Sequence, residues 1–103
     1  MNQLFIKNGN SEIFSVTNYV NEFLNYIDVS EKTKETYKIA LKQFCEYLLG
    51  KGINTPTRED IIEYREELKK EHKPNTVNSY LIAIRNLYDY LEYEGITKTL
   101  QRK

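Results

Sequence analysis

Apolar residues recur at helical spacing in four segments of the chain, and short turn signals separate these segments. No run alternates apolar and polar residues for long enough to predict a sheet. The sequence therefore predicts an all-α fold. A chain of 103 residues with 40% hydrophobic content has room for one compact domain with a single core, and for no second domain.

The first two helices are predicted at about 16 to 27 and about 31 to 50. Ser30 is expected to cap the second helix, and Gly50 and Gly52 are expected to end it. A turn signal at Asn8-Gly9-Asn10 divides the preceding segment, where a small hairpin would fit, but we favour a flexible N-terminal arm at 1–14. The apolar stripes of the two helices consist of Val16, Tyr19, Val20, Phe23, Leu24 and Ile27, and of Tyr37, Leu41, Phe44 and Leu48.

The third helix is predicted to begin at Thr57, with Asp60 as its partner in a capping box. The run His72-Lys73-Pro74 breaks it and starts the fourth helix, which extends to about Glu94 and stops at Gly95. The helical domain is thus expected at 15–96, followed by a basic tail or linker at 97–103. The inward-facing residues of these helices are predicted to be Ile61, Tyr64 and Leu68, and Val77, Tyr80, Leu81, Ile84, Leu87, Tyr88 and Leu91.

An internal repeat relates the second and fourth helices. A shift of 43 residues places the segment 33–53 on the segment 76–96. Two copies are too few for a solenoid, so we interpret them as two similar helices whose N-terminal turns could present polar and basic groups to one partner. The identical pairs are Thr33 with Thr76, Tyr37 with Tyr80, Ala40 with Ala83, Tyr47 with Tyr90, Leu48 with Leu91, Gly52 with Gly95 and Ile53 with Ile96.

Composition limits the classes of site that the chain can hold. A single cysteine, Cys45, allows no intramolecular disulfide and no zinc site, and no spacing of residues suggests a metal or a cofactor. The longest apolar stretches are too short for a membrane span, and the start lacks the basic lead of a signal peptide, so a cytoplasmic location is expected. A formal net charge of zero argues against coating of nucleic acid by bulk charge.

Three runs of the chain resemble the core-binding domains of tyrosine recombinases, the phage integrase family. The run from Ser30 to Leu48 is similar to the family helix S-x-x-T-x-x-x-Y-x-x-x-L-x-x-F. The run from Asn75 to Leu91 resembles T-[IV]-N-x-x-L-x-A-[IL]-R-x-[FL]-Y-x-Y-L, and Thr57 to Leu68 matches the short helix before it. The three runs occur in the family's order and spacing, and the resemblance spans roughly 16 to 96.

The resemblance implies a four-helix, SAM-like bundle that lies across one side of a DNA duplex, with its second and fourth helices near the major groove. It also implies two further partners, which are a C-terminal catalytic domain of the same parent protein and neighbouring recombinase protomers on the DNA. The family's catalytic arginine, lysine, histidine and tyrosine residues belong to that other domain. The chain's one histidine, His72, lacks the H-x-x-R pattern, so we expect no enzyme activity here.

The candidate DNA-binding residues lie at the starts of the two related helices, because helix N-termini with basic and hydroxyl side chains suit phosphate binding. Asn78 and Ser79 lie away from the apolar stripe and could also reach base edges. Solvated lysines and helix-capping threonines are the alternative interpretation of the same residues. The candidates are Lys32, Thr33, Lys34, Thr36, Lys38 and Lys42 on the second helix, and Lys73, Asn75, Thr76, Asn78 and Ser79 on the fourth.

A second hypothesis is a helical protein-interaction module without DNA binding. It rests on the neutral net charge and the 13% aromatic content, and it uses Tyr47, Tyr90 and Tyr93 as a docking surface. The mixed charges of the third helix, Arg58 and Arg65 among them, are interpreted as a solubilising surface. His72 is expected to be a surface loop residue.

Overall fold

The computed structural model describes residues 16–96, and the regular elements in that range are all helices. A 3-10 helix at Val16–Tyr19 leads into α1, Val20–Tyr26, which is followed by α2, Glu31–Lys51. The chain then forms α3, Arg58–Glu71, and α4, Pro74–Tyr93. The predicted all-α, four-helix fold is confirmed. The predicted arm at 1–14 and tail at 97–103 lie outside the described residues.

The first predicted helix is divided into a 3-10 turn and a short α-helix. Tyr19 joins the two with helical backbone angles and makes no side-chain cap, so the chain passes from one to the other without a break. Ile27 already has extended backbone angles and ends α1. The buried residues Val16, Phe23 and Leu24 nevertheless lie on the predicted stripe.

The start of α2 agrees with prediction, whereas its end needs one correction. The backbone N–H of Thr33 donates to Ser30 Oγ at 3.1 Å, as expected of an N-cap serine. Gly50 does not end the helix, because α2 runs through it to Lys51. Of these two glycines, Gly52 is the one with a left-handed backbone, with φ of 72°, and it ends the helix.

The end of α4 repeats the end of α2. Gly52 N–H donates to Leu49 O at 3.1 Å and Ile53 N–H donates to Leu48 O at 2.9 Å. The matching bonds of α4 run from Gly95 to Glu92 at 3.0 Å and from Ile96 to Leu91 at 2.8 Å. Both helices therefore end in a Schellman motif, in which a left-handed residue lets two N–H groups bond back to carbonyls of the last turn. The internal repeat thus extends to backbone geometry.

Local signals also place α3 and α4. Thr57 and Asp60 form the predicted capping box, with bonds of 2.8 Å from Thr57 N–H to Asp60 Oδ2 and 3.2 Å from Asp60 N–H to Thr57 Oγ1. Pro74 occupies the first turn of α4, where its missing N–H costs nothing. Only His72 and Lys73 separate the two helices, so α3 and α4 form an antiparallel hairpin.

One core unites all of these helices. Its buried aromatic and aliphatic side chains come from the 3-10 turn and from every α-helix. Ala83 and Tyr90 are buried in addition to the predicted residues of α4, while Leu81 is half-buried. The buried set consists of Val16, Phe23, Leu24, Ala40, Leu41, Phe44, Leu48, Tyr64, Leu68, Val77, Tyr80, Ala83, Ile84, Leu87, Tyr88, Tyr90 and Leu91.

The most extensive helix–helix contact joins α2 to α4. A half-buried hydrogen bond marks it, in which Asn86 Nδ2 donates to the Tyr37 hydroxyl at 2.8 Å. Phe23 of α1 packs against Tyr37 and Tyr90 at centroid distances of 6.3 and 5.6 Å. The first half of α2 therefore lies beside α1 and the second half of α4.

Candidate nucleic-acid interface

The α2 cluster, which we define as Lys32, Thr33, Lys34, Thr36, Lys38 and Lys42, lies along the first half of α2. Lys34 and Lys38 line a depression of about 350 Å³ between α1 and α2, opposite Asn21 and Asn25. Lys32, Lys38 and Lys42 are exposed, whereas Lys34 is half-buried. Lys34 and Lys38 therefore share one surface of α2, to which Asn21 and Asn25 of α1 add two amides.

The threonines of the α2 cluster already have partners within the helix. Ser30 Oγ donates to Thr33 Oγ1 at 3.1 Å, and Thr36 Oγ1 donates to the Lys32 carbonyl at 3.2 Å. A hydroxyl oxygen can accept as well as donate, so neither group is saturated by one bond. Helix capping and packing account for both residues in the unbound domain.

Acidic residues interrupt the positive charge of the α2 cluster. Glu31 and Glu35 line the same depression as Lys34 and Lys38. Lys42 lies 3.9 Å from Glu46, but both side chains are mostly exposed, so this ion pair contributes little to stability. The depression itself is therefore neutral, with two lysines and two glutamates, whereas the segment 31–42 as a whole is positive, with four lysines and two glutamates.

The α4 cluster, which we define as Lys73, Asn75, Thr76, Asn78 and Ser79, surrounds the N-terminus of α4. Lys73, Asn75, Asn78 and Ser79 are exposed, and Thr76 is half-buried. Lys73 precedes the helix and makes no side-chain cap. Among the four α-helices of residues 16–96, α4 is the one whose first turn has no acidic residue. The positive end of its dipole is therefore not neutralised locally and can attract an anion.

The two clusters do not form one continuous site. The α2 cluster adjoins α1, whereas the α4 cluster adjoins the end of α3, where Asn78 lines a surface groove with Lys69 and His72. Tyr37, one turn after Thr33, contacts Asn86, and Thr76 lies ten residues before Asn86 on α4. At 1.5 Å per residue that offset is about 15 Å. A ligand that contacts both clusters must therefore be extended.

Comparison with known protein families decides the class of this domain. The family described as phage integrase, N-terminal SAM-like domain, matches residues 16–95. The chain belongs to this family. No curated protein and no solved structure gives a significant match. The match covers the 3-10 turn and all four α-helices, so the fold described above is that of the integrase SAM-like domain.

Two exposed isoleucines accompany the clusters of this integrase-family domain. Ile39 on α2 and Ile82 on α4 are 43 residues apart, and 47% and 48% of their respective surfaces are exposed. Both side chains lie away from the buried apolar stripes of their helices. The related helices therefore present equivalent apolar groups as well as polar ones.

Packing refines one sequence interpretation and corrects another. His72 lies in the two-residue connection between α3 and α4, as predicted, but it is half-buried there: its backbone N–H donates to Leu68 O at 2.9 Å, and its ring centroid lies 5.3 Å from that of Tyr80. Tyr47, Tyr90 and Tyr93 do not form one docking surface. Tyr90 is buried against Phe23 and Tyr26 of α1, whereas Tyr47 packs on Tyr64 of α3.

A third basic cluster was not recognised from the sequence. Arg58 and Arg65 of α3 and Arg85 of α4 line one groove, although we interpreted the first two as solubilising charges. The heptad spacing of Arg58 and Arg65 was the available signal, since residues seven apart share a helix face. Their approach to Arg85 depends on how α3 packs on α4.

The described residues provide no metal site and no membrane span. Within 16–96, no group of three or more histidine, cysteine, aspartate or glutamate side chains is placed to hold a metal ion. None of the helices in that range is long and apolar enough to cross a bilayer.

Proposed function

We propose that this domain binds double-stranded DNA as the core-binding domain of a site-specific tyrosine recombinase, through α2 and α4. The start of α4 is the observation that carries the proposal. There, exposed amide, hydroxyl and ammonium groups surround a helix N-terminus whose first turn has no acidic residue. Phosphate groups are bound by this combination of oriented N–H groups, helix dipole and basic side chains. Membership of the integrase family also supports double-stranded DNA as the partner.

The spacing of the two clusters is compatible with a duplex. An offset of about 15 Å along α4 is comparable with the major groove, which is about 12 Å wide. Lysines of the α2 cluster and the start of α4 can therefore contact phosphates on opposite sides of one groove. Ile39 and Ile82, which are exposed beside the clusters, offer apolar contacts of the kind that thymine methyl groups accept.

Catalysis is assigned to a separate C-terminal domain of the same parent protein, and neighbouring recombinase protomers are the third proposed partner. This division of labour rests on the family match. It implies that this domain by itself binds DNA weakly, because it contacts one side of the duplex. Binding is accordingly best measured at low salt, where phosphate contacts are strongest.

Fluorescence anisotropy with a labelled duplex of about 30 base pairs, titrated over a salt series, tests the proposal. The affinity should fall steeply as salt rises, because binding to phosphates releases counterions. A salt-independent affinity, or no binding at the lowest salt, would refute DNA binding through these clusters.

Charge-reversal variants locate the interface. Lys34→Glu, Lys38→Glu and Lys73→Glu should each weaken binding to every duplex sequence and reduce the salt slope by roughly 1 per lost phosphate contact. Lys51→Glu is the matched control, because it makes the same change of charge at an exposed residue at the other end of α2. Substitutions of Asn75 or Ser79 should instead alter sequence preference. An equal loss in the Lys51 variant would mean that only net charge matters.

A further inference from the structure

The groove between α3 and α4 has an apolar floor and a basic rim. It has a volume of about 420 Å³, and its floor is formed by Ile61, Ile62, Leu81 and Ile84. Ile62 is 38% exposed in this position, although it is a large aliphatic side chain. The three arginines of the described residues, Arg58, Arg65 and Arg85, lie along its edges. Burial of the floor by a partner would remove apolar surface from water, which is favourable.

Two of the three arginines have no charged partner within the domain. Arg65 Nε lies 3.6 Å from Glu66 Oε2. Neither Arg58 nor Arg85 forms an ion pair or a side-chain hydrogen bond among residues 16–96. These two arginines line the groove from different helices, Arg58 from α3 and Arg85 from α4, so the groove carries positive charge available to a ligand.

A buried polar atom adds to this picture. Tyr88 lines the groove and is 3% exposed, and its hydroxyl has no hydrogen-bond partner. Buried hydroxyl groups normally have a partner, because leaving one unpaired costs free energy. The groove therefore combines uncovered apolar surface with unpaired cations, beside a buried tyrosine whose hydroxyl has no partner.

We propose that this groove is a docking site for an amphipathic helix with an apolar face and acidic flanks, provided by another protein. The combination fits the helix-in-groove mode of recognition, in which apolar anchors enter a groove between two helices. Arg58 and Arg65 are seven residues apart on α3, about 10.5 Å along its axis. Carboxylates seven residues apart on a bound helix match that spacing, and Arg85 can contact a carboxylate on its opposite edge.

The apolar floor favours a helical peptide over nucleic acid as the occupant. A DNA backbone presents phosphates and sugars, so it would satisfy the arginines but leave the isoleucines uncovered. An acidic amphipathic helix satisfies both, through aliphatic contacts to Ile62 and Leu81 and ion pairs to the rim. Arginine is also suited to this role, because its planar fork binds carboxylates in a bidentate geometry.

A synthetic peptide of about 18 residues is the probe, with leucines at i, i+3, i+4 and i+7 spacing and glutamates on both flanks. It is added to the isotope-labelled full 103-residue chain, and amide shifts are followed by NMR. Shift changes are expected around Ile61, Ile62, Leu81 and Ile84. Peptides with lysine in place of glutamate, or serine in place of leucine, should bind at least tenfold more weakly. No shift in the groove at millimolar peptide, or equal binding of the lysine peptide, overturns the proposal.

Charge exchange provides the decisive control. The double variant Arg58→Glu, Arg85→Glu should bind the glutamate peptide roughly tenfold more weakly and the lysine peptide more tightly than the unaltered chain does. Lys70→Glu is the matched control, because Lys70 is exposed on α3 and does not line the groove. Ile62→Ser should weaken the binding of both peptides. Circular dichroism checks that each variant remains folded.

The experiment separates this proposal from DNA binding. If the double arginine variant loses duplex affinity while peptides never bind, the groove belongs to the DNA surface and the docking proposal is wrong. If peptide binding follows the expected pattern while duplex binding is absent, the groove proposal stands and the proposed DNA-binding function fails.

Discussion

Replacing Gly50 by alanine should stabilise the domain. Gly50 lies inside α2, which continues to Lys51, and a Cβ added there would meet no atom within 4 Å. Glycine within a helix costs about 0.5–1 kcal/mol relative to alanine, because the unfolded chain loses more freedom on folding. The expected gain in unfolding free energy is of that size, with the lower end favoured in the last turn of the helix.

The same substitution at Gly52 or Gly95 should have the opposite sign. Neither added Cβ would meet an atom within 4 Å, so steric overlap with neighbours plays no part. The left-handed backbone, with φ of 72° and 77°, disfavours any residue with a Cβ by about 1–2 kcal/mol. Part of this cost is offset because alanine also restricts the unfolded chain. We expect each variant to lose about 1 kcal/mol.

Urea unfolding followed by circular dichroism measures all three variants under one condition. A change of 1 kcal/mol corresponds to about 4–8 °C in Tm for a domain of this size, so thermal melts give an independent reading. Because the two left-handed sites lie at the ends of different helices, the losses in a Gly52→Ala, Gly95→Ala double variant should add. Destabilisation by Gly50→Ala, or a neutral result for Gly52→Ala, would contradict this account of how α2 ends.

Three further measurements test the packing. Tyr88→Phe should raise the unfolding free energy by about 1 kcal/mol because it removes a buried hydroxyl without a partner, and a loss would show that the hydroxyl is satisfied after all. Tyr37→Phe and Asn86→Ala should each cost about 1 kcal/mol, and a double-mutant cycle should show coupling through their 2.8 Å bond; purely additive losses would exclude it. Burial raises the pKa of the Cys45 thiol from 9.0 to about 11. The folded domain therefore holds this proton more tightly than the unfolded chain does, so the contribution of the neutral thiol to the unfolding free energy is complete below pH 9 and is lost as the pH rises toward 11. Cys45→Ala should lessen that alkaline loss in urea unfolding, and an unchanged pH slope would refute the assignment.

Helix positions were predictable because each boundary depends on a few neighbouring residues. Ser30, Thr57 with Asp60, and Pro74 determine the starts through short-range bonds and backbone restriction, and the structure has all of them. The repeat between α2 and α4 was visible for the same reason. Gly50 misled the prediction, since a glycine in the last turn of a helix looks the same in sequence whether or not its backbone is left-handed.

Tertiary neighbours were not predictable from local patterns. Tyr90 lies off the main stripe of α4, and it is buried because α1 packs there as well. The arginine groove brings Arg85 of α4 to Arg58 and Arg65 of α3, which lie 27 and 20 positions before it in the sequence. The separation of the α2 and α4 clusters likewise depends on how α2 packs across α4. The internal repeat relates the two sequences but does not predict the relative orientation of the two helices.

The bond between Asn86 and Tyr37 fixes α2 on α4 at the place where the two helices meet. Sliding of one helix along the other would break this partly buried bond, which therefore helps to hold the spacing of the α2 and α4 clusters. If the domain binds DNA as proposed, the duplex has to adapt to that spacing. Under the proposed function, sites with easily deformed pyrimidine–purine steps would bind more tightly than stiff ones, even where no side chain touches a base.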